Sequence, residues 1–201
     1  MIGSARLAGA VAGAVIAAFA PAVTGDDARV AHGDGLATRK AEASPVGDGP
    51  LLATLVQTHT PERIPLDDVT PSSERFDALL MDRATNEIHP IDPRLLAMLR
   101  TLAQRHPALA RIEIVSGYRS PKLNEMLRKK GHHVASHSQH SLGHAVDFRL
   151  VERDAEKGLD PRAIEAELRE LGWDGGIGSY RTKDDWFVHM DTGPNRRWDG
   201  F

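Results

Sequence analysis

The sequence contains no cysteine, and this absence removes several structural options. Disulfide bonds and thiolate metal ligands are excluded, so any zinc site must use histidine and carboxylate ligands. Ten histidines are present to supply them. An excess of positive charge is lacking as well, because the formal net charge is −3. We therefore expect no nucleic-acid partner.

Long hydrophobic stretches are absent after residue 23. Before that point, Arg6 is the only charge, and an uncharged stretch follows from Leu7 to Val23. This pattern is typical of a secretory signal with cleavage near Gly25, and an uncleaved membrane anchor is the alternative. We predict residues 1–25 to be this signal or anchor. The protein is then expected to be exported to the periplasm or cell envelope.

The remainder of the 201 residues divides into a linker and one domain. Residues 26–50 are rich in Gly, Ala, Asp and Pro without periodicity, which predicts a flexible linker. Residues 51–201 are then the functional domain, a length that one hydrophobic core can serve. We expect it to be a monomer.

Three helices are predicted from one repeated start signal, an N-cap acceptor followed by proline. The signal occurs at Asp92–Pro93, Ser120–Pro121 and Asp160–Pro161. Apolar spacing adds a short helix around 76–80, and β-branched or alternating segments predict strands over 51–57, 112–115, 145–150 and 186–191. This order predicts the α+β class, with a small antiparallel sheet flanked by helices.

Three side chains are candidates for a metal site. Asp147 lies in an apolar strand in which Val146 and Phe148 would face the other side, so its carboxylate needs a cation. His189 lies between apolar neighbours in another strand, and His140 precedes Asp147 in a glycine-containing loop. Three such ligands leave the fourth position that a catalytic zinc needs. Taken singly, His140 fits a surface loop, and Asp147 could pair with an arginine.

Four motifs occur in order, and together they resemble the bacterial murein endopeptidase K family. They are SGYRSP (116–121), SQHSLGHAVDF (138–148), GGIGSY (175–180) and FVHMDTG (187–193), the last followed by Arg197 and Trp198. That family belongs to the D-Ala-D-Ala metallopeptidases of peptidase family M15, whose fold is shared with the hedgehog signalling domain. The resemblance covers roughly residue 51 to the C-terminus. It implies the same fold for this chain.

The resemblance also implies an activity and roles for single residues. His140 and Asp147 match the zinc ligands of the SxHxxGxAxD pattern, and His189 matches the later histidine ligand. Arg119 matches an arginine near the substrate carbonyl or carboxylate, which implies that it orients the substrate and stabilises the oxyanion. The implied function is zinc-dependent cleavage of peptidoglycan peptides, as an endopeptidase rather than a D,D-carboxypeptidase. A cell-wall binding module without catalysis and an anchored envelope protein are the alternatives.

The general base is the open point. Related carboxypeptidases place a histidine two positions, or a glutamate three positions, before the last ligand, where this sequence has Phe187 and Trp186. Strand alternation places Asp191 beside His189, which makes it the candidate catalytic base. The alternative is that Asp191 orients His189 or caps the following turn. Asp184, Asp185 and His137 are further candidates on loops.

Overall fold

The computed structural model describes residues 49–130 and 138–200. The predicted signal or anchor segment and nearly all of the predicted linker lie outside the described residues, and so does His137. Across the two described ranges, no helix is long and apolar enough to cross a membrane.

The described residues form strands and helices in mixed order. The strands are β1 (Ala53–Gln57), β2 (Arg63–Leu66), β3 (Leu109–Ser116), β4 (Ala145–Glu152), β5 (Gly176–Arg181), β6 (Trp186–Asp191) and β7 (Arg196–Gly200). The helices are α1 (Ser73–Leu79), α2 (Pro93–Arg105), α3 (Pro121–Lys129) and α4 (Pro161–Glu170), with a 3-10 helix at Gln139–Leu142. The predicted α+β class is confirmed.

The sheet is larger than predicted and is not purely antiparallel. Its order is β2-β1-β3-β4-β6-β5-β7, seven strands in the part of the chain that the structure describes. Strand β1 runs parallel to β3, and β5 runs parallel to β7, while the other neighbours are antiparallel. The prediction of a small antiparallel sheet is therefore wrong. Three strands were missed because β2 contains proline, β5 is rich in glycine and β7 is mostly polar.

All three predicted helix starts are confirmed by the capping contacts. The side chains of Asp92, Ser120 and Asp160 accept backbone N–H groups two or three residues ahead, and proline is the first residue of each helix. The cap satisfies a donor that the helix itself cannot pair. Because each signal consists of two adjacent residues, the sequence alone is enough to predict these helix starts.

The two faces of β4 explain how the fold creates a site. Val146, Phe148 and Leu150 are at most 1% exposed and belong to the hydrophobic core. Core residues of α1, α2 and α4 join them, among them Phe76, Leu95, Leu99 and Leu168. Since side chains alternate along a strand, Asp147 and Arg149 project from the opposite face, as predicted. These two polar side chains therefore do not pack in the hydrophobic core and can form a site on the opposite face of the sheet.

Candidate metal centre

Three buried side chains converge on the polar face of the sheet. His140 comes from the 3-10 helix, Asp147 from β4 and His189 from β6, where Asp147 and His189 are directly paired across the strands. Asp147 Oδ1 lies 2.7 Å from His189 Nδ1 and 3.2 Å from His140 Nε2, and the two ring nitrogens are 3.2 Å apart. The structure therefore brings together the three residues that the sequence predicted as ligands.

The outer nitrogen of each imidazole is already bound. His140 Nδ1 lies 2.7 Å from the Gly117 carbonyl oxygen, and His189 Nε2 lies 2.9 Å from Asp191 Oδ2. A carbonyl and an ionised carboxylate accept hydrogen bonds, so when a ring is neutral its outer nitrogen carries the proton. The other ring nitrogen, which faces Asp147, is then unprotonated and presents its lone pair. This orientation is the usual one for metal-binding histidines.

Three acceptor atoms facing one another require a proton or a cation between them. Tetrahedral zinc with nitrogen and oxygen ligands at about 2.0–2.1 Å holds neighbouring ligand atoms about 3.3 Å apart. The observed separations of 2.7 to 3.2 Å are close to this spacing. The donor set, two imidazole nitrogens and one carboxylate oxygen, therefore fits a zinc ion.

Burial and charge perturb the titration of all three groups. Burial lowers the pKa of His140 to about 4, although the Asp147 carboxylate opposes this change. Burial also opposes the ionisation of Asp147, but the charges and hydrogen bonds of His140 and His189 outweigh it and hold its pKa well below the usual range. The hydrogen bonds of His189 to Asp147 and Asp191 overcome desolvation and raise the pKa of His189. The raised pKa of His189 favours a proton between His189 and Asp147 in the metal-free cluster, and a bound metal ion would replace that proton.

Gly143 shapes the loop that carries His140. Its φ is +70°, the left-handed region that glycine adopts without strain, and it caps the 3-10 helix. A Cβ here would also lie 2.1 Å from the Pro90 carbonyl oxygen. The glycine in the SxHxxGxAxD pattern is therefore required both by the backbone turn and by the close approach of the chain at Pro90.

Arg119 lies in a segment that is anchored on both sides. The backbone N–H of Tyr118 donates to the Leu80 carbonyl at 2.7 Å, and that of Ser120 donates to Asp82 Oδ2 at 2.7 Å. These contacts fix the path of the chain on which the Arg119 side chain is carried.

The guanidinium of Arg119 borders the three ligands. Its Nη2 lies 3.5 Å from Asp147 Oδ2, and the side chain is 15% exposed. Its Nε is buried and has no hydrogen-bond partner among the described residues. A buried donor without a partner is uncommon, so the ion pair with Asp147 leaves part of the hydrogen-bonding capacity of this guanidinium unused.

Asp191 contacts His189 on the side away from the ligand atoms. Its carboxylate accepts the backbone N–H groups of Gly176 at 3.2 Å and Gly193 at 2.8 Å, and it pairs with Arg196 at 2.8 Å. With His189 these are four partners for a carboxylate that is 0% exposed. The geometry favours the orienting role of Asp191 over that of a base facing the substrate.

The other base candidates lie elsewhere. Asp184 and Asp185 are exposed in the turn between β5 and β6. Asp185 and His189 are four positions apart along extended chain, a span of about 13 Å. His137 lies outside the described residues. Among the described residues, no further histidine or carboxylate belongs to the three-residue metal cluster.

A row of directly paired residues crosses the site. Ser116, Asp147, His189, Gly178 and Trp198 are neighbours on β3, β4, β6, β5 and β7. A Cβ on Gly178 would lie 2.4 Å from the Trp198 ring. The indole can therefore pack on the sheet at this position only because residue 178 has no side chain. The rings of Trp198 and His189 are 5.1 Å apart. The sequence motifs include Trp198 but predict no role for it.

Comparison with known proteins places the chain among the peptidases. The family model described as peptidoglycan L,D-endopeptidase MepK matches residues 67–198. The chain belongs to this family. The predicted membership is therefore confirmed.

Two curated relatives illustrate the similarity. A protein of Haemophilus influenzae named Probable peptidoglycan L,D-endopeptidase MepK is 36% identical over 129 residues, which are 63% of this chain and 64% of that protein. Peptidoglycan L,D-endopeptidase MepK of Escherichia coli K12 is 31% identical over 155 residues, 74% of this chain and 80% of that protein. No solved structure matches the chain, so the likeness to the hedgehog fold stays a prediction.

Loss of any one ligand should abolish zinc binding. We expect the wild-type chain to bind one zinc ion and His140→Ala, Asp147→Ala and His189→Ala each to lose it, because two ligands hold the ion far more weakly than three. His144→Ala is the matched control, since His144 lies in the same motif but outside the metal cluster. Elemental analysis after dialysis measures the result. Full zinc content in all three ligand variants would contradict the assignment.

Asp191→Asn separates the two roles of Asp191. If the carboxylate orients His189, the variant should bind zinc about 10- to 100-fold more weakly, the usual cost of losing such a partner. A base would instead leave zinc affinity unchanged and lower turnover by roughly 100-fold. Zinc titration against a competing chelator, with turnover measured at saturating zinc, distinguishes these outcomes. Asp184→Asn, in the exposed turn, serves as the control.

Proposed function

We propose that this chain is a zinc-dependent peptidase that hydrolyses peptide cross-links of bacterial peptidoglycan. The observation that carries the proposal is the convergence of three acceptor atoms, from His140, Asp147 and His189, at the polar face of the sheet. Such a set needs a cation, and three ligands leave a position open for substrate or water. Family membership supports peptidase activity, and the names of the relatives support peptidoglycan as the substrate.

The residues of the site have separate tasks in this proposal. His140, Asp147 and His189 hold the zinc ion, while the Gly117 carbonyl and Asp191 keep the two imidazoles in their binding orientation. When bound, zinc supplies Lewis acidity that polarises a peptide carbonyl and lowers the pKa of water.

Arg119 is proposed to bind the substrate. Its guanidinium lies beside Asp147, and its buried Nε lacks a protein partner among the described residues. A planar guanidinium can donate two parallel hydrogen bonds to a carbonyl or carboxylate group. Arg119 would hold the scissile carbonyl against the ligand cluster and stabilise the negative charge that develops on its oxygen.

Separate observations support the type of peptide bond that is cleaved and the cellular location of the protein. Both curated relatives are named L,D-endopeptidases, which supports cleavage inside a cross-link rather than removal of a terminal D-alanine. The apolar segment from Leu7 to Val23 supports export. The protein would act on its substrate in the periplasm or cell envelope. It would do so as a monomer.

A second candidate is a cell-wall binding module that has lost catalysis. The observation that favours it is the absence of a further histidine or carboxylate from the metal cluster within the described ranges. Such a module would bind zinc and peptidoglycan peptides without hydrolysing them.

Cross-linked muropeptides test the proposal directly. We expect the zinc-loaded protein to split the dimers, with a gain of one water molecule that mass spectrometry detects. A chelator should stop the reaction and added zinc should restore it, while the His140→Ala variant stays inactive. Loss of only a terminal D-alanine would indicate a carboxypeptidase. Intact dimers that nevertheless bind the protein would establish the non-catalytic module instead.

Arg119→Lys tests the substrate contact. We expect the variant to keep its zinc but to lose turnover by about 10-fold or more, because an ammonium group cannot reproduce a two-pronged guanidinium contact. Arg75→Lys is the control, since Arg75 lies on α1 and pairs with Glu62 at 2.7 Å, away from the ligands. Steady-state kinetics and zinc content are measured together. Equal turnover in the two variants would remove Arg119 from the mechanism.

A further inference from the structure

The hydroxyl group of Tyr180 lies beside Trp198 and has no role in the proposed mechanism. Tyr180 ends the GGIGSY motif and lies on β5 directly opposite Phe187 on β6. Its neighbour Ser179 points to the other face of the sheet, where Ser179 Oγ contacts Glu165 of α4 at 2.6 Å. By strand alternation, Tyr180 projects from the face that carries His189.

Trp198 connects Tyr180 to the metal cluster. The Trp198 indole lies over Gly178, the residue paired with His189, and its ring contacts the His189 ring at 5.1 Å. Trp198 Nε1 lies 3.2 Å from the Tyr180 hydroxyl oxygen. The hydroxyl is therefore held next to the row of residues that includes two of the three ligands.

The direction of this hydrogen bond leaves the Tyr180 proton available. An indole N–H can only donate, so the Tyr180 oxygen is the acceptor and its own proton points elsewhere. Among the described residues, no acceptor takes that proton. Burial raises the pKa of Tyr180, with the Asp147 charge contributing in the same direction, so the phenol stays protonated at neutral pH.

The ring is fixed by its surroundings. Tyr180 stacks on Phe187 with centroids 4.4 Å apart and planes 15° from parallel. On the other side it lies against Gly200 of β7, where a Cβ would come within 2.0 Å of the ring. A donor held in this way loses little entropy when it binds a ligand, which is the condition for a strong contribution to catalysis.

We infer that Tyr180 is a catalytic residue whose hydroxyl donates a hydrogen bond to the scissile carbonyl oxygen of the peptide as that oxygen becomes negative. Arg119 lies on the Asp147 side of the cluster, while Trp198 lies against His189 and holds the Tyr180 hydroxyl on that side. The two donors would hold the oxygen from opposite sides. This inference rests on the proposed peptidase function and adds a residue to it.

Tyr180→Phe in the zinc-loaded full chain is the test, because it removes the hydroxyl and keeps the ring. We expect kcat on cross-linked muropeptides to fall by about 10- to 100-fold with KM changed by less than about threefold, since the contact strengthens in the transition state. Zinc content should be unchanged. The control is Tyr118→Phe, which alters the other tyrosine of the chain; its hydroxyl donates to Glu87 at 3.0 Å, and its ring is buried against His89.

A second measurement does not depend on turnover. Calorimetry with a phosphinate pseudodipeptide that replaces an L,D-peptide bond, whose tetrahedral anion resembles the transition state, should show about 10-fold weaker binding to Tyr180→Phe and no change for Tyr118→Phe. Equal kcat and equal phosphinate affinity in wild type and Tyr180→Phe would overturn the inference and leave the proposed function intact.

Failure of the proposed function gives a different result. In that case the wild-type chain itself leaves muropeptides intact, and the phosphinate measurement decides on Tyr180. Weaker binding to the Tyr180→Phe variant would still support the hydroxyl as an anion donor at this site. Unchanged binding, or no binding to the zinc-loaded wild type, would reject it.

Discussion

The mutual approach of two imidazole lone pairs and one carboxylate oxygen is the constraint on which the rest of the site depends. Without a cation or a proton between them, these acceptors repel one another, and burial removes the water that would screen the repulsion. The fold holds them together by binding the outer nitrogens, through the Gly117 carbonyl and Asp191. Three separate segments therefore have to be placed correctly before any metal can bind.

The sheet provides this placement through its register. Asp147 and His189 face each other because β4 and β6 pair antiparallel in that alignment, and a shift of either strand by one residue would turn the ligand on that strand into the core. The core residues Val146, Phe148, Val188 and Met190 oppose such a shift, since each is at most 2% exposed. The apolar face of the sheet thus determines the geometry of its polar face, and stability and function depend on the same pairing.

The part of the site that could be predicted from the sequence is the part encoded locally. Apolar alternation around Asp147 and His189 indicated strands with one polar side chain facing away from the core, and the capping pairs located the helices. The pairing of β5 with β7 joins residues about twenty positions apart, and no local pattern specifies it. For this reason Trp198 and Tyr180 had no predicted role, and the size and mixed direction of the sheet were missed.

Asp191 shows the same limit at the level of single atoms. Strand spacing placed it beside His189, and the contact exists, but spacing does not say which imidazole nitrogen it meets. The carboxylate binds Nε2, the nitrogen turned away from Asp147, and two backbone N–H groups and Arg196 occupy its remaining lone pairs. Burial opposes its ionisation, but the hydrogen bond from His189 outweighs this and holds the pKa of Asp191 below its usual value. A general base works best with a pKa near the working pH and a lone pair free for the proton, so both properties argue that this carboxylate orients the ligand.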